Sequence, residues 1–289
     1  MNTALQLKIE SIGDDVILDN RYIYKLHSSF ENAVNFLSNS GHLISVVTEK
    51  VGEGPNNIVV NTHTVSYITG FKIISDSLVK INNTLYSIHN VRRYNPFIED
   101  LPAINFGYFI DSFILFKYFL LKKAPLLSSA FLLDDRRKNF FITPFEKNLY
   151  TSIKDNVHSF FKGEINSIKN LKGLGFGLTP QGDDLINGFI IALHLYGKIF
   201  NRKTQEISYK IYKLSKGTNV ISDTFLRYSV SGKLYSRMKN LLLSMMFHRE
   251  EVERNTDSLL KIGETSGSDI GTGFILMFEK LLQGGLEWL

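Results

Sequence analysis

"LKGLGFGLTPQGDDLINGFIIALHL", which runs from Leu171 to Leu195, places a glycine-rich segment directly before a long apolar pattern. Three glycines alternate at its beginning: Gly173, Gly175 and Gly177. Glycines permit positive φ and place no side chain in the way of a ligand. Thr179 suits the N-cap of a helix, and Pro180 suits the first helical position. Apolar residues cover so much of the following surface that the pattern predicts a mostly buried helix over 180–198.

Two adjacent carboxylates, Asp183 and Asp184, lie in the first turn of this predicted helix. Burying a carboxylate costs several kcal/mol, whereas the helix dipole returns only about 0.3–1 kcal/mol. At least one of the two therefore needs a partner, which could be backbone N–H groups, a cation, a metal or a ligand. On a helix Asp183 stacks over Asn187, while Asp184 stacks over Gly188, which leaves space. We interpret the aspartate pair as functional.

A second helix start follows in "IGETSGSDIGTGFILMFEKLL", from Ile262 to Leu282. Ser266 with Asp269 fits a capping box in which Asp replaces the usual Glu, and the pattern predicts a helix over 267–283. An aspartate in a first turn gains from the helix dipole, so capping alone can explain Asp269. The second half of the chain thus contains two similar arrangements of glycine, Thr or Ser, an early Asp and a buried helix.

Helix N-termini that carry bare glycines are suited to binding anions, so two of them that converge would bind a small anion well. A fixed cation could complete the site, and Arg227, in "NVISDTFLRYSVSGK", is the candidate. We therefore predict that Asp183, Asp184 and Arg227 belong to one site. The residues predicted to contact the substrate are Gly175, Gly177, Thr179, Asn187, Ser222, Thr265, Ser266, Gly267 and Asp269.

The fold class follows from a change of pattern near residue 100. Before it, short stretches rich in Ile and Val alternate with Gly, Asn and Asp, which predicts strands. One helix is predicted among them over 28–38, with Ser29 as its N-cap. After it, three- and four-residue apolar spacing predicts helices over 106–122, 144–168, 180–198, 204–215, 218–231, 235–247, 251–262 and 267–283. We expect an α+β protein with a β-rich domain over 1–103 and a helical domain over 104–289.

Composition narrows the possible functions. Hydrophobic residues make up 44% and charged residues 21%, which is typical of a globular protein. The chain has no cysteine, which excludes a thiolate nucleophile, a disulfide scaffold and a Cys-based zinc site. The net charge of +5 is spread along the chain, so we expect no nucleic-acid partner, although this charge suits small anions or an acidic partner subunit. No cofactor is predicted.

The beginning of the chain lacks a basic region followed by an apolar one, so no signal peptide is predicted. The most apolar stretch, from Ile104 to Leu121, contains Asp111 and Lys117. Each charge would cost roughly 2.5–3.5 kcal/mol at a bilayer centre. We expect a buried helix rather than a membrane span, and a cytoplasmic protein.

The motifs resemble those of a known family. "GLGFGLTPQGDD", at 173–184, is similar to the signature GxGPGLTPSGDD of the AllH-like subunit family of oxamate carbamoyltransferase. "LRYSVSG" at 226–232 resembles the Leu-Arg-Tyr segment of that family, and "GETSGSDIGTGF" at 263–274 resembles its GHTSGADTLLGF. "FENAVNFLSNSGHLISV" at 30–46 and the Gly54-Pro55 pair are similar to its N-terminal region. The resemblance thus extends over most of the chain.

Two positions depart from the family pattern: Phe176 stands where Pro is usual, and Gln181 stands where Ser or His is usual. The resemblance implies carbamoyl transfer between carbamoyl phosphate and oxamate, which gives oxalurate and phosphate, in anaerobic allantoin degradation. It also implies a hetero-oligomer with other subunit types. With this chemistry the expected catalytic residues are Asp183, Asp184 and Arg227. Asp183 or Asp184 could act as a base, and Arg227 could hold a substrate carboxylate.

Two other functions remain open from the sequence. The chain could be a non-catalytic assembly subunit whose motifs only cap helices. It could also be a metal-dependent hydrolase that uses Asp183 and Asp184. His194 follows on the same helix face, but it forms no familiar metal-binding pair and is more typical of a core histidine.

Overall fold

Strands form the first part of the chain and helices form the second, in a computed structural model that describes residues 7–99 and 104–284. The predicted α+β fold class is confirmed. Two compact units are present. One takes in the described residues up to Phe97 together with Lys233–Lys239, and the other takes in those of Ile98–Gly232 and those from Asn240 onward. The predicted boundary between 103 and 104 lies at the edge of residues outside the described ranges and stays a prediction.

The described strands of the first unit form two sheets. A six-stranded sheet has the order β2-β3-β4-β5-β1-β9, and a three-stranded antiparallel sheet has the order β6-β7-β8. Their apolar side chains share one core, to which Ile12, Phe36, Ile58 and Ile73 contribute fully buried side chains. The strands are β1 (Ile9–Gly13), β2 (Tyr24–Ser29), β3 (Ala33–Ser38), β4 (Leu43–Thr48), β5 (Asn57–Val60), β6 (Phe71–Ser75), β7 (Leu78–Ile81), β8 (Thr84–Ser87) and β9 (Arg92–Tyr94).

The helix predicted over 28–38 is wrong, because this segment contains the turn between β2 and β3. Phe30, Val34 and Leu37 fit a helical spacing, but Val34 and Phe36 are both fully buried and lie two residues apart, as on one face of a strand. A short apolar run does not distinguish strand from helix by its period alone. Pairing of β3 with β2 on one side and with β4 on the other decides in favour of the strand.

The helices agree closely with the periodicity. The predicted helix over 144–168 is shorter than expected, because α2 ends at Phe161 and a separate short helix, α3, follows. The helices are α1 (Phe106–Lys123), α2 (Pro144–Phe161), α3 (Ile168–Leu171), α4 (Gln181–Phe200), α5 (Gln205–Ser215), α6 (Val220–Val230), α7 (Ser236–Phe247), α8 (Val252–Leu260) and α9 (Ser266–Leu282).

Helices α4 and α9 cross with their backbones in direct contact. A Cβ atom added at Gly188 would lie 2.2 Å from the carbonyl oxygen of Ile270, and one added at Gly273 would lie 2.2 Å from that of Leu185. Each helix therefore has a glycine where the other passes, because no larger residue fits. Helix α4 is buried on nearly all sides, as predicted. The crossing fixes the first turns of the two helices relative to one another.

Helix α1 contains the most apolar stretch of the sequence, and its Phe113 and Phe116 pack against Phe274 of α9. Within 7–99 and 104–284, no helix is both long enough and apolar enough to cross a membrane.

Candidate functional site

The two glycine-marked helix starts meet in the second unit. The hydroxyl oxygens of Thr179 and Ser266 lie 2.8 Å apart and share a hydrogen bond, although the residues are separated by 87 positions. Thr179 lies two residues before Gln181, the first residue of α4, and Ser266 is the first residue of α9. The predicted convergence of the two motifs is therefore present in the structure.

The loop before α4 has the predicted glycine conformation. The φ angles of Gly173, Gly175 and Gly177 are 75°, 115° and 85°. A Cβ atom at Gly175 would lie only 2.6 Å from the backbone nitrogen of Gln181, so the loop folds tightly onto the helix start. The N–H groups of 175–179 donate to no other residue within the described ranges. Consecutive N–H groups in such a loop form a concavity that suits an anion.

The local caps differ from those predicted. Helix α4 begins at Gln181 with Pro180 at the cap position, so Pro180 is not its first residue. Thr179 does not cap α4, and its hydroxyl instead pairs with Ser266. The predicted capping box of α9 is also wrong, because Thr265 is its cap residue and makes no side-chain capping bond. Each side chain expected to cap its own helix instead links different segments.

Asp183 anchors the glycine loop. Its side chain is 5% exposed, and its Oδ1 accepts a hydrogen bond of 2.8 Å from the N–H of Gly173. Burial raises the pKa of Asp183, while the Gly173 N–H, the nearby Ser222 hydroxyl and the positive charge of Lys172 oppose this increase. The Ser222 hydroxyl lies close to the Asp183 carboxylate, but it makes no hydrogen bond of good geometry to any described residue. Asp183 therefore holds the loop against α4 and makes the predicted contact region rigid.

Asp184 is the most perturbed carboxyl group of the site. It is 2% exposed, and its pKa is raised well above the ordinary value, first by burial and then by the charge of Asp269. The hydroxyls of Ser266 and Thr179 act in the opposite direction. Its Oδ2 is buried without a hydrogen-bond partner among the described residues. Burial favours the protonated form of such a carboxyl group, which can act as a proton donor in a reaction.

Asp269 lies beside Asp184 but is held by a third segment of the chain. It is fully buried, and its Oδ1 accepts a hydrogen bond of 2.6 Å from the N–H of Ser129. Burial raises the pKa of Asp269 to about 7, against the opposing effects of the Ser129 N–H and the Thr265 and Ser129 hydroxyls. Neither hydroxyl makes a hydrogen bond of good geometry to Oδ2. Asp269 is thus more than the helix cap that its position in the sequence suggested.

Gln181 and the segment 127–129 were not predicted as part of the site. The Nε2 of Gln181 donates a hydrogen bond of 2.6 Å to the carbonyl oxygen of Leu127, two residues before Ser129, which binds Asp269. The buried Arg137 donates to the carbonyl oxygens of Ala124 and Pro125 and so supports the same segment. No periodicity or motif in the sequence marks 127–129, because only the tertiary fold brings it to the helix starts.

The N–H group of the second residue in both α4 and α9 is already bonded within the chain. The Gly182 N–H donates to the carbonyl of Leu174, and the Gly267 N–H donates to that of Ile262. A Cβ atom at Gly267 would lie 1.9 Å from the carbonyl oxygen of Leu259, so this glycine allows α9 to pack closely on α8. The N–H groups of the loop before α4 are consequently better placed for an anion than those inside the helices.

Asn187 and Ser222 connect α4 with α6. The Oδ1 of Asn187 accepts a short hydrogen bond from the hydroxyl of Ser229, and both residues are buried. Ser222 lies near Asp183 on the same side of α6. Their contacts fasten the two helices together, and a role in binding substrate stays a prediction.

Arg227 interacts with residues of α5 and α6. Its guanidinium carbon is 5.4 Å from the centre of the Tyr228 ring, and its charge acts on Tyr212 together with Asp223. The cation that influences the aspartate pair is Lys172, near Asp183. The catalytic role of Arg227 stays a prediction.

The sequence left open a metal site at the aspartate pair, and His194 follows the pair on α4. Within the part of the chain that the structure describes, no group of three or more His, Asp or Glu side chains is placed to hold a metal ion. Burial lowers the pKa of His194, and its ring packs against Gly232, where a Cβ atom would lie 2.4 Å from Cε1. His194 is therefore a packed, partly buried residue.

Two family models match the chain. The model described as oxamate carbamoyltransferase subunit AllH matches residues 171–278, which include both glycine-marked helix starts. The model described as the AllH family N-terminal domain matches residues 8–95, which include all the described strands. No solved structure matches the chain.

Proposed function

Since the chain belongs to the AllH family of oxamate carbamoyltransferase subunits, we propose that it carries a substrate site of carbamoyl transfer at the starts of α4 and α9. The reaction would convert oxalurate and phosphate into carbamoyl phosphate and oxamate, or run in reverse, in allantoin breakdown in the cytoplasm. The hydrogen bond between Thr179 and Ser266, beside the buried Asp184 and Asp269, is the observation that supports this proposal best.

The loop N–H groups would bind the anionic part of the substrate. Both substrates and both products carry negative charge, and the N–H groups of 175–179 are available as donors. One well-placed donor that faces developing negative charge contributes roughly 2.7–4 kcal/mol to the stability of a transition state. The ammonium group of Lys172, at the beginning of the loop, would add attraction for the anion.

Asp184 would supply the proton that the reaction requires. A phosphate oxygen attacks the terminal carbamoyl carbon of oxalurate, a C–O bond forms, and the C–N bond to the oxamate nitrogen breaks. That nitrogen takes the bond's electron pair and needs a proton, because an amide anion is a poor leaving group. Asp184 donates this proton and becomes a carboxylate, and in the reverse direction the same carboxylate accepts it. The raised pKa of Asp184 favours the protonated form that this role requires.

Partner subunits would complete the enzyme, because the family is one of subunits. Two accounts of this chain make different predictions within such a complex. A substrate-binding subunit needs Asp184 for turnover, whereas a purely assembling subunit needs it only for folding. The raised pKa of Asp184 favours the first account, because desolvated carboxyl groups destabilise a fold and are common at reacting centres.

The test is turnover by the complex reconstituted with Asp184→Asn. Asparagine keeps the shape of the side chain but has no proton to transfer, so we expect turnover to fall about tenfold or more with assembly and melting temperature retained. Glu206→Gln is the matched control, because Glu206 also lies in the first turn of a helix but is exposed. Full turnover by Asp184→Asn would contradict the proposal and support the assembly role.

A further inference from the structure

A buried oxygen atom at the start of α4 has no hydrogen-bond partner within the described ranges: Oε1 of Gln181. The side chain is only 3% exposed, although its amide is polar. An acceptor that is buried and unpaired costs roughly 1–3 kcal/mol of stability. The position therefore suggests a partner that the described chain itself does not supply.

The orientation of the Gln181 amide is fixed by its other end. Nε2 lies 2.6 Å from the carbonyl oxygen of Leu127, and a carbonyl oxygen can only accept a hydrogen bond. The NH₂ end must therefore face Leu127, and the unpaired end must be the oxygen. Any ligand group that satisfies this end has to be a hydrogen-bond donor.

Gln181 lies on the same face of α4 as Asp184, because residues three positions apart are neighbours on a helix surface. The Oδ2 of Asp184 is also buried without a partner among the described residues. Two unpaired buried oxygens on one helix face suit a small molecule that carries two neighbouring nitrogen atoms with N–H groups. A ureido group, H₂N–CO–NH–, has two such nitrogens, separated by one carbonyl carbon.

We propose that Gln181 Oε1 accepts a hydrogen bond from the terminal NH₂ of a carbamoyl or ureido group and so determines specificity for that group. The inference rests on the proposed function, in which Asp184 gives its proton to the inner nitrogen of the same ureido group. Gln181 would then hold the reacting carbamoyl carbon between the loop N–H groups and Asp184. A substrate that has a methyl group in place of the NH₂ would leave the buried oxygen unpaired.

The test compares the binding of oxalurate and N-acetyloxamate to the full chain by calorimetry. N-acetyloxamate has CH₃ where oxalurate has the terminal NH₂, and the two are otherwise alike in shape and charge. We expect oxalurate to bind at least about tenfold more tightly, because sites that bind a substrate N–H reject analogues that lack it. In Gln181→Met this preference should fall to about twofold or less.

Gln205→Met is the matched control, because Gln205 is the first residue of α5 as Gln181 is of α4, but is exposed. It should keep the full preference. If Gln181→Met does not fold, Gln181→Asn withdraws the oxygen by one methylene group and should also weaken the preference.

Each other outcome overturns the inference. Equal binding of the two compounds, or a preference that persists in Gln181→Met, would show that Gln181 does not recognise the NH₂ group. The proposed function would stand in either case. Stabilisation of the wild type by potassium or ammonium that is lost in Gln181→Met, without a preference for oxalurate, would assign the oxygen to a cation. Binding of neither compound, and of no phosphate, would overturn the proposed function as well.

Discussion

At the scale of single residues, three buried aspartates of the second unit have three different partners. Asp183 is bonded to the N–H of Gly173, Asp269 is bonded to the N–H of Ser129, and Asp184 lies among hydroxyl groups and next to Asp269. The sequence predicted that Asp183 or Asp184 would need a partner, because burial of a carboxylate costs more than a helix dipole returns. It did not identify Ser129, because no local pattern records a contact between segments 140 residues apart.

The pKa of Asp269 gives a prediction about stability and pH. Burial raises this pKa to about 7. Between the ordinary pKa of an aspartate, about 3.9, and this raised pKa, the folded state holds a proton that the unfolded state has lost. Because the folded state then binds more protons, the free energy of unfolding falls as pH rises, by up to about 1.4 kcal/mol for each pH unit. The stability that the protonated Asp269 contributes is complete below the pKa of this group in the unfolded chain. It is lost as the pH rises through the pKa in the folded state, about 7.

Urea unfolding of the wild type and of Asp269→Asn, from about pH 4 to about pH 8, measures this effect. Asparagine does not titrate, so the wild type should lose stability relative to the variant as pH rises across this range. The exposed Asp111→Asn is the control and should show no such trend. A difference between wild type and Asp269→Asn that stays constant with pH would contradict the burial argument.

At the scale of elements, helices were more predictable than their ends. Apolar residues at three- and four-residue spacing over long segments predicted α1, α4 and α9, because an amphipathic or buried helix repeats its apolar face over several turns. The segment 28–38 is too short for that, and strand pairing outweighs its helical spacing. The caps at Thr179 and Ser266 were misassigned, because hydroxyls that suit a cap also suit a bond to another segment.

The crossing of α4 and α9 predicts a strong effect of one added methyl group. Gly188→Ala would place a Cβ atom 2.2 Å from the backbone oxygen of Ile270, so the helices must separate. We expect a loss of about 1–3 kcal/mol or more in the free energy of unfolding, and weaker substrate binding because the two helix starts separate.

Gly107→Ala is the control for this variant. Gly107 is also helical, but its added Cβ atom would come no closer than 3.5 Å to the side-chain oxygen of Asn105. Alanine there should be neutral or stabilising by up to about 1 kcal/mol, because it is the better helix former. Denaturant unfolding compares the two, and equal effects would show that the α4–α9 contact is not tight.

At the scale of the whole molecule, the family assignment covers both parts of the chain, while the candidate site lies in the second unit alone. The net charge of +5 suits small anionic substrates, which the positive field attracts. The fold class and the two helix starts could be predicted from the sequence. The contribution of 127–129 could not, because it depends on how distant segments pack.

The central claim is that the starts of α4 and α9 form one binding site for a small anionic substrate. A crystal structure of the chain soaked with oxalurate and phosphate tests it most directly. We predict density for the ligand between residues 175–179 and 265–267, with loop N–H groups bonded to its anionic end and the Asp184 carboxyl facing its inner nitrogen. Density at another place on the molecule, with this region unchanged, would contradict the account.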